Sequence, residues 1–379
     1  MNDFMYTLMT PGPTMVRENV RQARSLVVGN PDIDPDFYDF YRDTCRLMSD
    51  LLHTKDETLI LGGEGILALE AACASLTEPG DRVLVLDNGV FGRGFEDFVR
   101  LYGGTPVLYT VPSDRPIDPE ALKKFLDKDH DFKYATVVHC ETPSGVLNDL
   151  HALCTLLKSY DIMTVADSVS AMFAVDVSME NDQIDILCGG SQKVLSAPPG
   201  LSFVTLSPLA KETIRNRKTP VASFYANLQP FFTYYEDQWF PYTMPISDIT
   251  GLRQAAENIK AEPGIQQRHA TLAKATRAAV QAAGLTLYPV CAYSPTVTAV
   301  VIPQETTSKA LLGAVREQHN ILLAGSFGCF SGKLFRIGHM GENAYKEPLQ
   351  ASMRALDDVL PQLGVKVKES MEETFLANL

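Results

Sequence analysis

From about residue 60 to residue 206, short β-rich runs alternate with longer helix-like segments, and that alternation admits few folds. A strand that must pass through a helix before the next strand tends to run parallel to it, and a parallel sheet needs helices on both faces. The β-rich runs are residues 82–87, 105–109, 134–139, 162–166, 184–187 and 202–206. Helical patterns fill the gaps at 66–76, 94–102, 118–129 and 150–159, the third opening with Asp118 as cap and Pro119 as first helical residue. The reading is α/β, with a large, mostly parallel-sheet domain.

A helical pattern at 246–281, interrupted near Pro263-Gly264, carries the chain onward. After it come a strand at 296–302, a helix at 308–319, a strand containing Phe335-Arg336-Ile337 and a final helix near 346–359. These make a small C-terminal α+β domain, so the chain divides into 1–262 and 263–379. A length of 379 residues suits a large domain with a smaller companion.

A formal charge of −13 argues against nucleic acid as a partner, because binding to a phosphate backbone draws on clustered Lys and Arg. No stretch of about 18 apolar residues is present to span a membrane, and residues 1–14 lack the basic and apolar blocks of a secretory leader. Seven cysteines without paired CxxC spacing read as buried free thiols and offer no metal site. The expected location is the cytoplasm.

In open α/β sheets ligands collect beyond the carboxyl ends of the strands. There the chain carries Gly62-Gly63-Glu64-Gly65 ahead of the helix beginning at Ile66, whose free amides suit an anion. It also carries Asn88-Gly89-Val90-Phe91, then His139-Cys140-Glu141-Thr142-Pro143-Ser144-Gly145, then Asp167 closing an apolar strand. Last comes Gly189-Gly190-Ser191-Gln192-Lys193, leading to Pro198-Pro199-Gly200. Each has a plainer reading by itself: a tight turn, core packing for Phe91, a helix cap for Asp167, a solvated surface for Lys193. Together they differ. A lysine in an uncharged, turn-rich segment is held as a reactive amine by desolvation, and a carboxylate 26 residues upstream on a neighbouring strand is placed to pair with a pyridinium nitrogen.

In order and spacing, Glu141-Thr142-Pro143-Ser144-Gly145, Ala166-Asp167-Ser168-Val169-Ser170, Ser191-Gln192-Lys193 and Phe335-Arg336-Ile337-Gly338 resemble the class V, fold-type-I aminotransferases. The likeness begins at Thr10-Pro11-Gly12-Pro13 and covers nearly the whole chain. It implies a transaminase that forms a Schiff base between Lys193 and pyridoxal 5'-phosphate, or takes unphosphorylated pyridoxal or pyridoxamine as substrate at the same site. Lys193 and Asp167 are then the catalytic pair. Glu64, Gly65, Ile66, Phe91, Thr142, Val169, Gln192 and Thr243 would surround the ring, and Gly12 and Arg336 would hold the substrate. The partners implied are a small amine, a 2-keto acid such as pyruvate or glyoxylate, and a second copy of the chain. In that homodimer Phe240-Pro241-Tyr242-Thr243 would cross into the neighbour's site.

Two departures from the family pattern stand out. Glu64 replaces a serine that touches the cofactor phosphate, and Phe240 replaces a tyrosine of the crossing segment. The pyridoxamine–pyruvate branch of the family shares both features, together with Gly332-Lys333-Leu334 and Arg336 through Gly341. Phe327 stands where that branch has a second substrate arginine. Alanine–glyoxylate or serine–pyruvate transfer with the phosphate cofactor is the alternative. A cysteine desulfurase using Cys329, with Gln192-Lys193 in place of a His-Lys pair, and a non-catalytic pyridoxal-binding protein complete the alternatives.

Overall fold

The computed structural model describes residues 6–26 and 29–379. The reading of the N-terminus as lacking a leader falls partly on residues 1–5, outside the described residues. A seven-stranded sheet is built from β1 (Glu57–Leu61), β2 (Arg82–Asp87), β3 (Thr105–Thr110), β4 (Tyr134–Val138), β5 (Met163–Asp167), β6 (Ile186–Gly190) and β7 (Ser202–Leu206). Their spatial order is β1-β7-β6-β5-β4-β2-β3. Only β7 runs against its neighbours, β1 and β6; the other pairings are parallel.

Helices cover both faces, which explains why β4 to β7 are buried along their whole lengths and show no polar alternation. The helix Gly65–Leu76 is apolar almost all round because it lies inside this packing. Between β2 and β4 the chain first steps out to β3 and then returns to the other side of β2. That reversal opens a crevice at the strands' carboxyl ends, where such sheets bind ligands.

A second sheet of β8 (Val297–Val301), β9 (Ala324–Gly325) and β10 (Leu334–Gly338) is antiparallel, in the order β8-β10-β9. Its register sets Arg336 of β10 opposite Ala299 and Ala324, two small residues that leave room for the guanidinium. Buried apolar side chains form a large cluster from Val20 to Ile265, joined by Met340. A second cluster runs from Leu272 to Phe375 and includes Met9. Thr7 and Leu8 pair with Ile321 and Leu322, so the N-terminal segment is sewn to the later part of the chain.

Several elements differ from expectation. Strand β1, not expected from the sequence, opens with Glu57 and Thr58 before three apolar residues, a pattern without the alternation that marks a strand. The helix expected at 94–102 starts at Val90, because Gly89 gives no side-chain cap to mark the start. The helix Lys346–Gln362 is not the last, since Met371–Ala377 follows and packs Met371 and Phe375 into the second cluster. Cys291 and Cys329 are exposed, whereas the other five cysteines are buried as expected. Among the described residues no helix is long and apolar enough to cross a membrane.

Candidate active site

Strands β1, β2, β4, β5 and β6 all end at one edge of the sheet, and a cavity of about 140 Å3 opens there. Lys193 lies three residues beyond β6 in a loop held by several backbone bonds. Thr14 N–H donates to the Gln192 carbonyl at 3.1 Å, Ser196 N–H to the Lys193 carbonyl at 2.9 Å and Ala197 N–H to the Ser191 carbonyl at 3.0 Å. Ser196 adopts a left-handed conformation at φ 56°, strain that this surrounding network sustains. The Lys193 ammonium donates to the Pro11 carbonyl at 2.8 Å. Burial, with the Arg336 guanidinium adding repulsion, lowers its pKa to about 8. Gly12 at φ +88° lies against the lysine chain, where a Cβ would come within 2.4 Å of Lys193 Cδ.

Asp167, the last residue of β5, is 5% exposed. Burial raises its pKa to about 6, while Val169 N–H and Lys193 pull the other way. Among the described hydrogen bonds its carboxylate accepts from Val169 N–H at Oδ1, 2.9 Å. A buried carboxylate with so little support has capacity for one further cationic donor. Phe91 and Val169 share the cavity wall with it, and Gly65 packs closely there, since a Cβ would stand 3.0 Å from Val169 Cγ1.

At the cavity mouth Glu64 caps the helix Gly65–Leu76, with Oε1 accepting from Ile66 N–H at 3.2 Å. Its Oε2 accepts from Gln192 Nε2 at 2.9 Å. Gln192 Oε1 is buried without a hydrogen-bond partner. An amine-bearing lysine, an undersupported carboxylate, an aromatic wall and an unpaired acceptor together fit a planar ring with a basic nitrogen, a carbonyl carbon and a polar substituent.

The guanidinium of Arg336 is buried and donates through Nε and Nη2 to the Gly325 carbonyl at 2.8 and 2.6 Å. Nη1 donates to the Thr142 carbonyl at 3.3 Å. Among the described residues these partners are carbonyl oxygens, not carboxylates. Burial lowers its pKa to about 10, still charged at neutral pH. The ring of Phe327 lies 5.4 Å from this cation and meets Phe91 edge-on at 5.8 Å.

Of the residues expected at the site, Gly12, Glu64, Gly65, Ile66, Phe91, Asp167, Val169, Gln192 and Lys193 line the cavity. Thr142 does not. Its hydroxyl bonds Ser170 Oγ at 2.5 Å, and Ser170 is the wall residue. Thr243 also stands apart, exposed, with its hydroxyl on Asp32 at 2.9 Å. Phe240 is buried among Tyr38, Tyr41 and Tyr234 of its own chain. Cys329 is not among the lining residues. Sequence reading missed Pro13, Leu69 and Ser170, although Pro13 and Ser170 lie within quoted motifs and Leu69 follows Gly65 by one helical turn.

An α/β fold in which a desolvated lysine and a buried aspartate line one cavity suits a pyridoxal-dependent enzyme. The aminotransferase class-V profile matches residues 21–330, and the chain belongs to that family. It is a pyridoxal-phosphate-type transaminase. An uncharacterized aminotransferase of Methanocaldococcus jannaschii is 37% identical over 369 residues, 96% of this chain and 94% of that one. The crystal structure of pyridoxamine-pyruvate aminotransferase from Mesorhizobium loti matches at TM-score 0.93 and 32% identity, covering 98% and 96% of the two chains. That of ureidoglycine-glyoxylate aminotransferase from Bacillus subtilis matches at TM-score 0.95 and 27% identity, covering 99% and 98%.

Proposed function

We propose that this transaminase takes unphosphorylated pyridoxamine as amino donor and passes the amino group to a small 2-keto acid, pyruvate or glyoxylate. The observation that carries the reading is Glu64. The amino end of the helix Gly65–Leu76 suits an anion, and the Glu64 carboxylate already fills it. A phosphate about 4 Å away would be repelled by about 1 kcal/mol per charge pair in water, and by about 4 kcal/mol at the effective dielectric near a protein surface. Gln192 Oε1 is an acceptor in need of a donor, which a hydroxymethyl O–H supplies and an ionised phosphate does not.

When bound, pyridoxamine would supply the amine that passes to the keto acid's carbonyl carbon, and its ring a sink for the electrons released at the carbon that bears that amine. Lys193 holds Nζ as a free amine at mildly alkaline pH, able to take a proton from one carbon and return it to another. Asp167 would keep a proton on the ring nitrogen, and Phe91 and Val169 would hold the ring between them. Arg336 offers two parallel N–H groups to the acid's carboxylate. Thr142 acts one step back, through Ser170.

We further propose a homodimer in which Thr243 completes the partner's site. It is supported by the exposure of Thr243 away from its own cavity and by the open mouth at Glu64 and Ile66. Seven unpaired cysteines support a reducing compartment such as the cytoplasm. Phe327, where the pyridoxamine branch has an arginine, favours the second reading, a phosphate-cofactor alanine–glyoxylate type enzyme. Titration of the ring-free protein separates the two. Pyridoxal binding at least as tightly as pyridoxal phosphate is expected; phosphate-form binding that survives dialysis would leave the second reading in place.

A further inference from the structure

The helix Val90–Leu101 carries Phe91 in its first turn, yet its own sequence provides no cap. Gly89 sits at the cap position with extended backbone and no side chain. The missing acceptor arrives from a residue 50 positions downstream. Glu141, just past the end of β4, is 0% exposed, with its carboxylate beneath the helix start. Oε2 accepts from Phe91 N–H at 3.2 Å and Oε1 from Gly92 N–H at 2.5 Å. Glycine at 89 makes the approach possible, since a Cβ there would lie 2.5 Å from Glu141 Cδ.

We infer that Glu141 is a positioning residue for the cofactor ring, acting through the backbone of Phe91. The inference rests on the proposed stacking of the ring on Phe91. A buried carboxylate without partners is costly, and this one is offset by two N–H groups at the positive end of a twelve-residue helix. Any drift of Glu141 therefore moves the first turn and the aromatic face it carries. The adjoining residue extends the arrangement to the substrate end, because the Thr142 carbonyl accepts from Arg336 Nη1. One dipeptide beyond β4 thus aligns the aromatic face with the carboxylate-binding guanidinium. Both sit at the point where the strand order reverses.

The test is a double-mutant cycle read by equilibrium binding of pyridoxal, with thermal melting in parallel. Glu141→Gln retains one acceptor oxygen but places an NH2 against the other N–H. It is expected to weaken pyridoxal binding about tenfold, the scale of one charge-assisted hydrogen bond. In a Phe91→Ala background the same change is expected to weaken binding less than about twofold, because the ring-facing group is already gone. A merely structural Glu141 would weaken binding equally in both backgrounds, and that result overturns the inference. Should Phe91→Ala leave pyridoxal binding intact while Lys193→Ala removes it, the pyridoxal site stands and the role of Glu141 falls. Hydrogen exchange on the unmutated protein guards against variants that fail to fold. The amides of Phe91 and Gly92 are expected to exchange as slowly as those of the helix interior, and exchange at the rate of an open loop would refute the bonds.

Discussion

The two ends of the cavity are built from opposite materials. At the inner end Lys193 and Asp167 are desolvated, as is Arg336 outside the cavity lining, and their pKa values have moved toward neutrality, to about 8, 6 and 10. At the mouth Glu64 and Ile66 are exposed, and Glu64 is held by one backbone N–H and one amide. Burial makes a lysine into a nucleophile and a proton carrier, and it costs stability. Exposure leaves a carboxylate charged and able to discriminate between ligands by their charge. On the proposed reading, chemistry belongs to the inner end and choice of ring to the mouth.

The largest expected effect comes from the inner end. Lys193→Ala is expected to abolish turnover and retention of the ring, because no second amine lines the cavity among the described residues. Borohydride treatment followed by peptide mass analysis checks it; a ring fixed to another lysine would break the division between the two ends.

Asp167→Asn is expected to lower turnover by roughly 10^2–10^4-fold, the range of a lost acid–base function. It should also stabilise the ring-free protein at neutral pH by up to about 3 kcal/mol, the equivalent of its raised pKa. The sign follows from proton uptake. Between the ordinary carboxylate value and about 6, the folded state holds the extra proton, so Asp167 adds stability at low pH and loses it as pH rises through about 6. Melting curves of parent and variant should converge as the pH is lowered; a variant less stable than the parent at pH 7 would contradict this.

Arg336→Lys is expected to raise the KM for pyruvate or glyoxylate about tenfold, since an ammonium cannot reproduce the paired N–H groups. Ring binding should change little, and an unaltered KM would remove Arg336 from substrate contact. The smallest effect is expected at the mouth, where Glu64→Ser should shift the balance between pyridoxal and pyridoxal phosphate about fivefold toward the phosphate form. An unchanged balance, measured by parallel titrations, would deny the mouth its role in choosing the ring.

Much of the inner end was legible because its residues follow strand ends that patterning locates. Asp167 closes a run of apolar residues, and Lys193 follows a glycine pair that closes another, so order along the chain places both at one edge of a parallel sheet. Thr142 and Ser170 show the limit of such reading. They lie 28 residues apart on successive strand ends, and only packing decides which hydroxyl lines the wall and which stands behind it. Thr243 likewise carries a polar side chain in a recognisable segment, yet within this chain it turns to Asp32.

The amino-acid sequence by itself determined the parallel sheet, the lysine–aspartate pair and the family, because these depend on residue type, period and order. The tertiary structure alone decided where Phe91 points and what surrounds Arg336. Glu141 reaches the Phe91 helix across 50 residues of chain, and the Arg336 guanidinium finds its room from the register of β10 against β8 and β9. Neither contact leaves a local pattern, because the free energy that fixes it comes from burial shared between segments distant in sequence.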